Sequence, residues 1–444
     1  MNRWQKLAAF ATVCTLSVSL AACGNGNDSS NNAGTESNTG AVNEPAANAA
    51  GNTGGDTADA PAIQPEEGAS LLVWESKEER PFTDEIAKEF TAKYNIPVKI
   101  DEVATTDQVT RLQTDGPTGV GADVIVFPHD HLGRAVTGQM ILPNEEFGAE
   151  TTANNTENSI QGVSYDGVLY GYPRAAETYA LYYNKSLVPE APKSFDDVIA
   201  LASKLNDPAK NKYALMWEAG NTYFNYPFIA STGGYLFGKN GTDKTDLGMN
   251  NDGALEGMKV YQSLKAILPI KTGDVNPDIK RGLFTGGDVA MDINGPWELS
   301  TYKEALGDKL GVAPIPMVAG KPAVSFSGIK AWYVSSYSQY PNAAKLFAEF
   351  ASDKKAQLLL NSKVGSIPTN KEAQADPQIT GDEYVSGFME QFKNSQPMPN
   401  IPEMNNVWSP MEAAFTTVWN DNKDPKAALD NAKKQIEELI ASNG

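Results

Sequence analysis

The heptapeptide FPHDHLG, at residues 127–133, contains the only two histidines of the 444-residue chain. His129 and His131 stand on either side of Asp130. The side chains of such a triplet can ligate a metal, exchange protons in catalysis, or form hydrogen bonds with a bound ligand. The rest of the sequence has to decide among these three uses.

A metal centre requires more ligands than this loop supplies. Zinc takes three or four protein ligands, chiefly histidine and cysteine, and the chain has no third histidine. Its two cysteines, Cys14 and Cys23, both lie near the N-terminus. Carboxylates would have to complete such a site, so we expect neither a metal nor another cofactor.

Catalysis also lacks its usual signatures, because the sequence has no GxSxG motif and no cysteine beyond residue 23. A pair of carboxylates could hydrolyse a glycosidic bond. Acidic residues do lie near predicted strand ends or turns: Glu75, Glu78, Asp130, Glu177 and Asp292. With 55 acidic residues in the chain, such pairs are expected by chance. We therefore expect no enzymatic activity and keep a secreted glycoside hydrolase as an alternative.

Aromatic residues beside hydrogen-bonding groups recur in four segments: WE at 74–75, MWEAGNTYFNYP at 216–227, INGPWE at 293–298 and MPNIPEMNNVW at 398–408. The apolar face of a sugar stacks on an aromatic ring, while carboxylates and amides bond its hydroxyls. Single tryptophans and tyrosines belong more often to the core. Several of these residues, however, lie in turns rich in Gly, Pro and Asn. The pattern favours carbohydrate binding.

The N-terminal residues predict export and anchoring. Arg3 and Lys6 precede an apolar run too short to span a bilayer, which is typical of a signal peptide over residues 1–22. The run ends in LAAC at residues 20–23, a lipobox-like sequence that predicts lipidation of Cys23. Residues 23–68 have almost no large apolar side chains, so we expect a disordered tether.

Net charge excludes some partners. The chain carries 36 basic and 55 acidic residues, a formal charge of −19. This charge should repel nucleic acids and anionic lipid headgroups. We therefore expect no nucleic-acid partner and membrane contact only through the lipid anchor.

The elements that position these residues alternate between strands and helices. Apolar runs predict strands at residues 71–75, 96–103, 122–127, 179–184, 212–218, 288–295 and 325–335. Helical periodicity appears between them, for example at 81–94 and 195–205, and again at 425–441. Continuous apolar strands separated by helices predict parallel α/β sheets, in which ligands bind at the carboxyl ends of strands.

Five blocks carry a family resemblance: ADVIVFPHDHLGRAVTGQMILP, YGYPRAAETYALYYNKSLVPEAPKSFDDV, MWEAGNTYFNYPFIASTGGYLF, GGDVAMDINGPW and MPNIPEM. With these blocks in this order, residues 69–444 resemble the bacterial maltose/maltodextrin-binding proteins, extracellular solute-binding components of sugar ABC transporters. The resemblance implies an α/β fold of the periplasmic-binding-protein type. It has two lobes, each a mostly parallel sheet flanked by helices, with the ligand cleft between them.

The resemblance also implies domains and partners. It places one lobe at residues 69–175 and 331–375 and the other at 176–330 and 376–444. We expect a lipid-anchored monomer on the outer face of a Gram-positive-type membrane, which binds maltodextrins and delivers them to permease subunits. A receptor for another oligosaccharide, such as a cyclodextrin, and an adhesin or sensor domain stay open.

Ten residues match or replace the family's ligand-binding positions: Glu78, Phe127, Asp130, His131, Glu177, Asn221, Tyr223, Trp297, Met398 and Trp408. The resemblance makes Asp130 and Glu177 hydroxyl-binding carboxylates. It makes Tyr223, Trp297 and Trp408 platforms for successive sugar rings. Met398 matches an apolar cleft residue, and Glu78 matches an acidic residue of the first loop.

Five positions depart from the family pattern. Phe127 replaces a tryptophan and Asn221 a carboxylate, while Glu79 replaces a lysine and Glu412 an arginine. His131 replaces another arginine, so its contact with a ligand should weaken when the imidazole loses its proton. Since stacking positions are kept better than charged ones, we expect an α-glucan oligosaccharide rather than maltose in particular.

Overall fold

The computed structural model describes residues 63–443. The predicted signal peptide, Cys23 and most of the predicted tether therefore lie outside the described residues. Within residues 63–443, no helix is both long and apolar enough to cross a bilayer.

Thirteen strands lie within this described range: β1 Leu71–Glu75, β2 Val98–Glu102, β3 Val124–Pro128, β4 Ser164–Tyr165, β5 Val168–Leu169, β6 Tyr172–Thr178, β7 Ala180–Asn184, β8 Tyr213–Met216, β9 Asp243–Leu247, β10 Val289–Asn294, β11 Leu310–Ala313, β12 Ser325–Val334 and β13 Ser395–Pro397. Every strand predicted from the sequence is present, with ends that differ by no more than a few residues.

Nineteen α-helices lie within the same part of the chain: α1 Arg80–Tyr94, α2 Gln108–Asp115, α3 Leu132–Thr137, α4 Gly148–Asn154, α5 Glu157–Gly162, α6 Phe195–Leu205, α7 Thr222–Asn225, α8 Pro227–Ala230, α9 Gly238–Gly241, α10 Asp252–Ser263, α11 Pro277–Thr285, α12 Leu299–Leu306, α13 Pro341–Phe350, α14 Lys354–Val364, α15 Lys371–Gln374, α16 Pro377–Thr380, α17 Glu383–Phe392, α18 Trp408–Asp421 and α19 Pro425–Asn443. Short 3₁₀ turns occur between them, among them His129–His131 and Pro296–Glu298.

Local signals explain where several helices begin and end. The Ser194 side chain caps α6 by accepting from the backbone N–H of Asp197, and the Asp197 side chain accepts from the backbone N–H of Ser194. Together these bonds form a complete capping box. Pro81 stands in the first turn of α1, and that helix stops at Asn95, whose φ of 56° is left-handed. The predicted helix at residues 195–205 is confirmed.

The first sheet begins with β1, which pairs in parallel with β2 and β3. Val73 and Trp74 are both fully buried, and they belong to two different core clusters. Because successive strand residues face opposite sides of a sheet, this sheet is covered on both faces. The continuous apolar strands of the sequence predicted this arrangement.

The strand β12 ties the first sheet together. It is antiparallel to β6 and β3 and parallel to β13. Ser327 pairs with both β6 and β13, while Lys330 pairs with both β6 and β3. Therefore β6 occupies one edge of β12, and β13 and β3 share the other. The predicted strand at residues 325–335 thus lies in the first sheet.

The second sheet has the order β11-β7-β10-β8. Here β8 and β10 are parallel, but β7 is antiparallel to both β10 and β11. The α/β architecture is as predicted, but this sheet is mixed, which corrects the prediction of a mostly parallel sheet in each lobe. The strand β7 follows β6 of the first sheet after the single residue Tyr179, and its neighbours β10 and β11 both run antiparallel to it.

The chain passes from the first sheet to the second between β6 and β7 and returns between β11 and β12. The predicted lobe boundaries at 175/176 and 330/331 fall inside β6 and β12, the two strands that pair with each other. These boundaries stay predictions. Most of the predicted site residues lie close to these two connections, β6 to β7 and β11 to β12.

Candidate functional site

His129 is buried, and both of its ring nitrogens are hydrogen-bonded. Nδ1 accepts from the backbone N–H of Ile329 at 3.0 Å, and Nε2 lies 2.9 Å from the backbone oxygen of Met398. Because Nδ1 accepts, the proton is on Nε2 and the ring is neutral. Burial lowers the pKa of His129, although Asp130 opposes this effect. The role of this histidine is structural.

The His129 ring also completes an edge of β12. The pairing with β3 stops at Lys330 and that with β13 at Ser327, so Ile329 lies between them. There the imidazole bonds Ile329 in place of a backbone partner. Through Met398 the same ring holds the segment that follows β13.

The next two residues of the loop are bonded quite differently. Asp130 Oδ1 and His131 Nδ1 are buried and have no hydrogen-bond partner among residues 63–443. Asp130 Oδ2 lies 3.7 Å from His131 Nε2, which is too long for a hydrogen bond. Buried polar atoms in folded proteins are nearly always hydrogen-bonded. These two atoms can therefore bond the polar groups of a bound molecule.

An aromatic pair lies against this loop. Phe127 is fully buried and stacks on Tyr333, with ring centroids 3.8 Å apart and planes 7° from parallel. The ring of His131 lies edge-on to Phe127 at 6.4 Å. Burial and the Asp130 carboxylate raise the pKa of Tyr333 well above its usual value, so its hydroxyl keeps its proton. That hydroxyl is another buried atom without a partner in the described part of the chain.

A buried group of five ionisable residues, here called the charged cluster, comprises Glu75, Glu79, Arg174, Glu177 and Lys330. All five are less than 10% exposed. Arg174 pairs with Glu75 at 2.7 Å and also with Glu79, while Lys330 pairs with Glu79 at 3.0 Å and with Glu177 at 2.6 Å. The cluster joins the end of β1 to β6 and β12, the strands at the passage between the sheets.

The carboxylates of the charged cluster experience different surroundings. Burial raises the pKa of Glu177, and Lys330 offsets this only in part. Burial acts in the same direction on Glu79, but Lys330 and Arg174 outweigh it and lower the pKa of that carboxyl. Burial acts to lower the pKa of Lys330, but the carboxylates of Glu177 and Glu79 outweigh burial, so the pKa of Lys330 is raised. Lys330 is therefore charged.

The indole of Trp297 adjoins the charged cluster from the turn after β10 of the second sheet. Its ring centroid lies 5.8 Å from Lys330 Nζ. The ring folds back over Gly295, where an added Cβ would come within 2.1 Å of the indole, so only glycine fits at that position. Trp297 is partly buried, which leaves part of the ring available for stacking.

Tyr223 and Trp408 meet around Phe326. The rings of Tyr223 and Phe326 are nearly parallel at 6.1 Å, and Trp408 is tilted against Phe326 at the same centroid distance. Thr222 donates a hydrogen bond to the backbone oxygen of Trp408. Burial raises the pKa of Tyr223 well above its usual value, and Glu177 and Asp130 add to the effect.

Asn221 caps α7, because its side-chain oxygen accepts from the backbone N–H of Tyr223. Its amide donates to Glu218 at 3.4 Å, and Lys280 lies 3.8 Å from that carboxylate. Burial raises the pKa of Glu218, an effect that Lys280 opposes. The cap fixes the start of α7, and with it the position of Tyr223.

Glu78 is at the rim rather than inside. It is exposed in the turn after β1, as is Lys77, and its side chain lies 3.7 Å from Arg281 of α11. Arg281 also binds Glu298 through two nitrogens, at 2.6 and 2.7 Å. An ion pair thus joins the turn after β1 to α11, and α11 in turn to Glu298 beside Trp297.

The structure brings most of the predicted residues into one region. Phe127, Asp130 and His131 form one part, while Glu177 and Trp297 meet through Lys330. Asp130 of the first part and Glu177 of the second both raise the pKa of Tyr223. Met398 is buried and contributes its backbone to His129. A cavity of about 990 Å³ adjoins His129 and Met398, but it includes none of the other predicted site residues. Within the described chain, no group of acidic, histidine or cysteine residues could hold a metal ion.

Sequence reasoning missed several residues of this region, above all Arg174, Glu218, Arg281 and Lys330. Arg174 shares the strand segment YPRAAET with Glu177, and Lys330 is the single charge of the strand segment SFSGIKAWYV. A charge within a buried strand requires a partner, and this was the available signal. The sequence did not indicate which partner.

Comparisons with known proteins decide the family. The profile described as bacterial extracellular solute-binding protein matches residues 85–386. The chain belongs to the bacterial extracellular solute-binding proteins. Among curated solute-binding relatives, the galactooligosaccharide-binding protein of Bacillus subtilis strain 168 is 31% identical, over 97% of this chain and 96% of the relative.

Two further comparisons match most of the chain. The maltooligosaccharide ABC transporter solute-binding lipoprotein of Streptococcus pneumoniae strain R6 is 31% identical, over 87% of this chain and 93% of the relative. A solved cyclo/maltodextrin-binding protein in complex with maltotetraose is 37% identical, with a TM-score of 0.70 over 84% of this chain and 98% of the other. The predicted family and two-lobed fold are confirmed.

Proposed function

We propose that this solute-binding protein is a receptor for uncharged oligosaccharides of the α-glucan type. The ligand would lie between the lobes, against Trp297, Tyr223 and Trp408. Asp130, His131 and Glu177 would bond its hydroxyls, and Phe127, Met398, Asn221 and Glu78 would shape the site or its rim. Binding would favour the closed arrangement of the lobes through contacts that only that arrangement completes.

One observation carries this proposal: buried polar atoms without partners, Asp130 Oδ1 and His131 Nδ1, lie close to aromatic residues. A sugar offers both complements, since it has fixed hydroxyls and an apolar ring face. The similarity to proteins named for maltooligosaccharides and maltotetraose supports an α-glucan.

The proposal extends to location and partners. Lipidation of Cys23 would hold a monomeric receptor on the outer face of the membrane, and two acyl chains anchor stably where one does not. The receptor would deliver its ligand to the membrane subunits of an ABC transporter, as the name of the pneumococcal lipoprotein suggests. It would break no covalent bond.

A galactooligosaccharide receptor is the second candidate, because the B. subtilis relative of that name matches nearly the whole chain. The two candidates differ in ring stereochemistry, so they require different hydroxyl contacts from Asp130 and Glu177. The same aromatic platforms could serve either ligand.

Calorimetry on the full chain in mild detergent tests both candidates. We expect maltotriose and maltotetraose to bind with a Kd of about 1 µM, and β-1,4-galactotriose to bind at least tenfold more weakly. A preference for galactotriose would establish the second candidate. Absence of heat with either series, and with β-cyclodextrin, would refute an oligosaccharide receptor of these classes.

Incubation with maltoheptaose tests the absence of catalysis. We expect the oligosaccharide to be recovered intact by chromatography after prolonged incubation with stoichiometric protein. Shorter products that disappear in the Glu177→Gln variant would instead identify a glycoside hydrolase.

A further inference from the structure

We propose that Lys330 is a positioning residue for ligand binding: it holds the Glu177 carboxylate ionised and aimed at the ligand. The inference rests on the proposed function, because it concerns the same cleft. Lys330 lies on β12 and is not one of the ten ligand-binding residues predicted from the sequence.

The first step is geometric. Among the described residues, Glu177 forms its ion pair with Lys330 alone, at 2.6 Å. The other two carboxylates of the charged cluster have the guanidinium of Arg174, and Glu75 also accepts from Thr83 and Ser76. Glu177 is therefore the carboxylate whose charge depends on one ammonium group.

The second step concerns charge balance. The charged cluster holds three carboxylates and two cations in a region almost closed to water. Removing the ammonium would leave three carboxylates with Arg174 only. Because Arg174 contacts Glu75 and Glu79, the carboxyl that takes up a proton would be Glu177. The ionisable groups that act on Lys330 are Glu79 from the turn after β1 and Arg174 and Glu177 from β6. Beyond them, Glu75 of β1 pairs with Arg174, and Glu177 raises the pKa of Tyr223 of α7.

The third step connects the pair to the ligand. An ionised carboxylate accepts stronger hydrogen bonds from hydroxyls than a protonated carboxyl does. Lys330 Nζ also lies 5.8 Å from the ring centroid of Trp297. It therefore lies between the Glu177 carboxylate of β6 and the aromatic ring predicted to stack on the sugar. Lys330 would thereby hold Glu177 and Trp297 in fixed positions relative to each other. A sugar could then stack on the indole and bond the carboxylate through a hydroxyl at the same time.

Calorimetry with maltotriose tests the proposal in Lys330→Met, whose side chain is similar in length but uncharged. We expect at least a tenfold loss of affinity at pH 7, part of which returns as pH rises towards 9 and Glu177 ionises. The Lys330→Arg variant should recover affinity because it restores the charge. In Lys330→Met/Glu177→Gln, the pH dependence should disappear. A loss that is the same at every pH, or that persists unchanged in the Glu177→Gln background, would overturn the proposal.

Thermal unfolding without ligand separates this test from the proposed function. Burial already raises the pKa of Glu177 in the wild type. In Lys330→Met the folded-state pKa of Glu177 would lie further above its unfolded value, so stability should fall more steeply than in the wild type as pH rises from 5 to 8, whereas Lys330→Met/Glu177→Gln should lack this slope. The matched control is Lys345→Met, since Lys345 pairs with Glu146 in another part of the chain. If the wild type binds no glycan, the receptor proposal fails, while the unfolding slope still decides whether Lys330 sets the charge of Glu177. Equal slopes in both variants would refute that.

Discussion

The charged cluster and the His129–His131 loop lie in the same region, yet their polar atoms are treated in opposite ways. In the charged cluster, Arg174 Nε is the one buried side-chain atom without a partner, whereas Asp130 and His131 each leave one such atom unpaired. A satisfied network stabilises a single arrangement. Unsatisfied buried atoms lower stability and are retained where a ligand bonds them. The contrast separates a framework from the proposed recognition surface.

The largest effect should come from breaking the framework. In Arg174→Met, Glu75 and Glu79 lose their guanidinium partner inside the core. We expect the free energy of unfolding to fall by about 3–5 kcal/mol, measured by urea denaturation at pH 7. An exposed pair such as Lys426–Asp430 provides the control, since Lys426→Met should change stability by less than about 1 kcal/mol. Equal effects of the two substitutions would remove the distinction between framework and surface.

Asp130→Asn should separate stability from binding. The variant loses an ionised acceptor, so affinity for maltotriose should fall by about 2 kcal/mol, or roughly 30-fold. Its stability without ligand should stay equal or rise, because a buried, unpaired carboxylate oxygen is replaced by a neutral amide. Calorimetry and thermal unfolding of the same preparation measure both quantities. A variant that binds normally but unfolds earlier would place Asp130 in the framework.

Substitution of the two histidines should also separate stability from binding, with effects of intermediate size. His129→Leu loses two hydrogen bonds and should destabilise the fold by about 1–3 kcal/mol, whereas His131→Leu should mainly reduce affinity. The folded-state pKa of His129 is lowered, so wild-type stability is complete above the unfolded pKa of about 6.5 and is lost as pH falls below it. Unfolding free energies of His129→Leu between pH 5 and 7 should lack this loss. The same slope in both proteins would contradict the assignment.

The smallest effect should occur at the rim. Glu78→Gln removes the ion pair with Arg281 between the lobes, and we expect the Kd to rise by no more than a factor of about five. The change should become smaller at 1 M salt, since the pair is partly exposed. Asp278→Asn serves as the control, because Asp278 also pairs with Arg281 but within the same helix. A large, salt-independent effect of Glu78→Gln would instead indicate direct ligand contact.

The sequence predicted those features that depend on neighbouring residues. The strands were visible as apolar runs, and Asp130 and His131 lie next to each other in the chain. The charged cluster could not be predicted, because Glu79 and Lys330 are 251 residues apart and an isolated charge in a strand does not identify its partner. The antiparallel pairing of β7 was missed for a similar reason. Its partners β10 and β11 come far later in the chain, and the alternation of strands and helices does not show in which direction they pair with β7.

The bonds of His129 have a consequence for the thermodynamics of binding. They hold the loop after β3 to β12 and to Met398, and Gly133 adds a bond to Asn400. The backbone around Asp130 is thereby ordered when the chain folds. Association then needs little further loss of loop entropy, so the entropic penalty should arise mainly from joining ligand to receptor and from restricting the movement of the lobes.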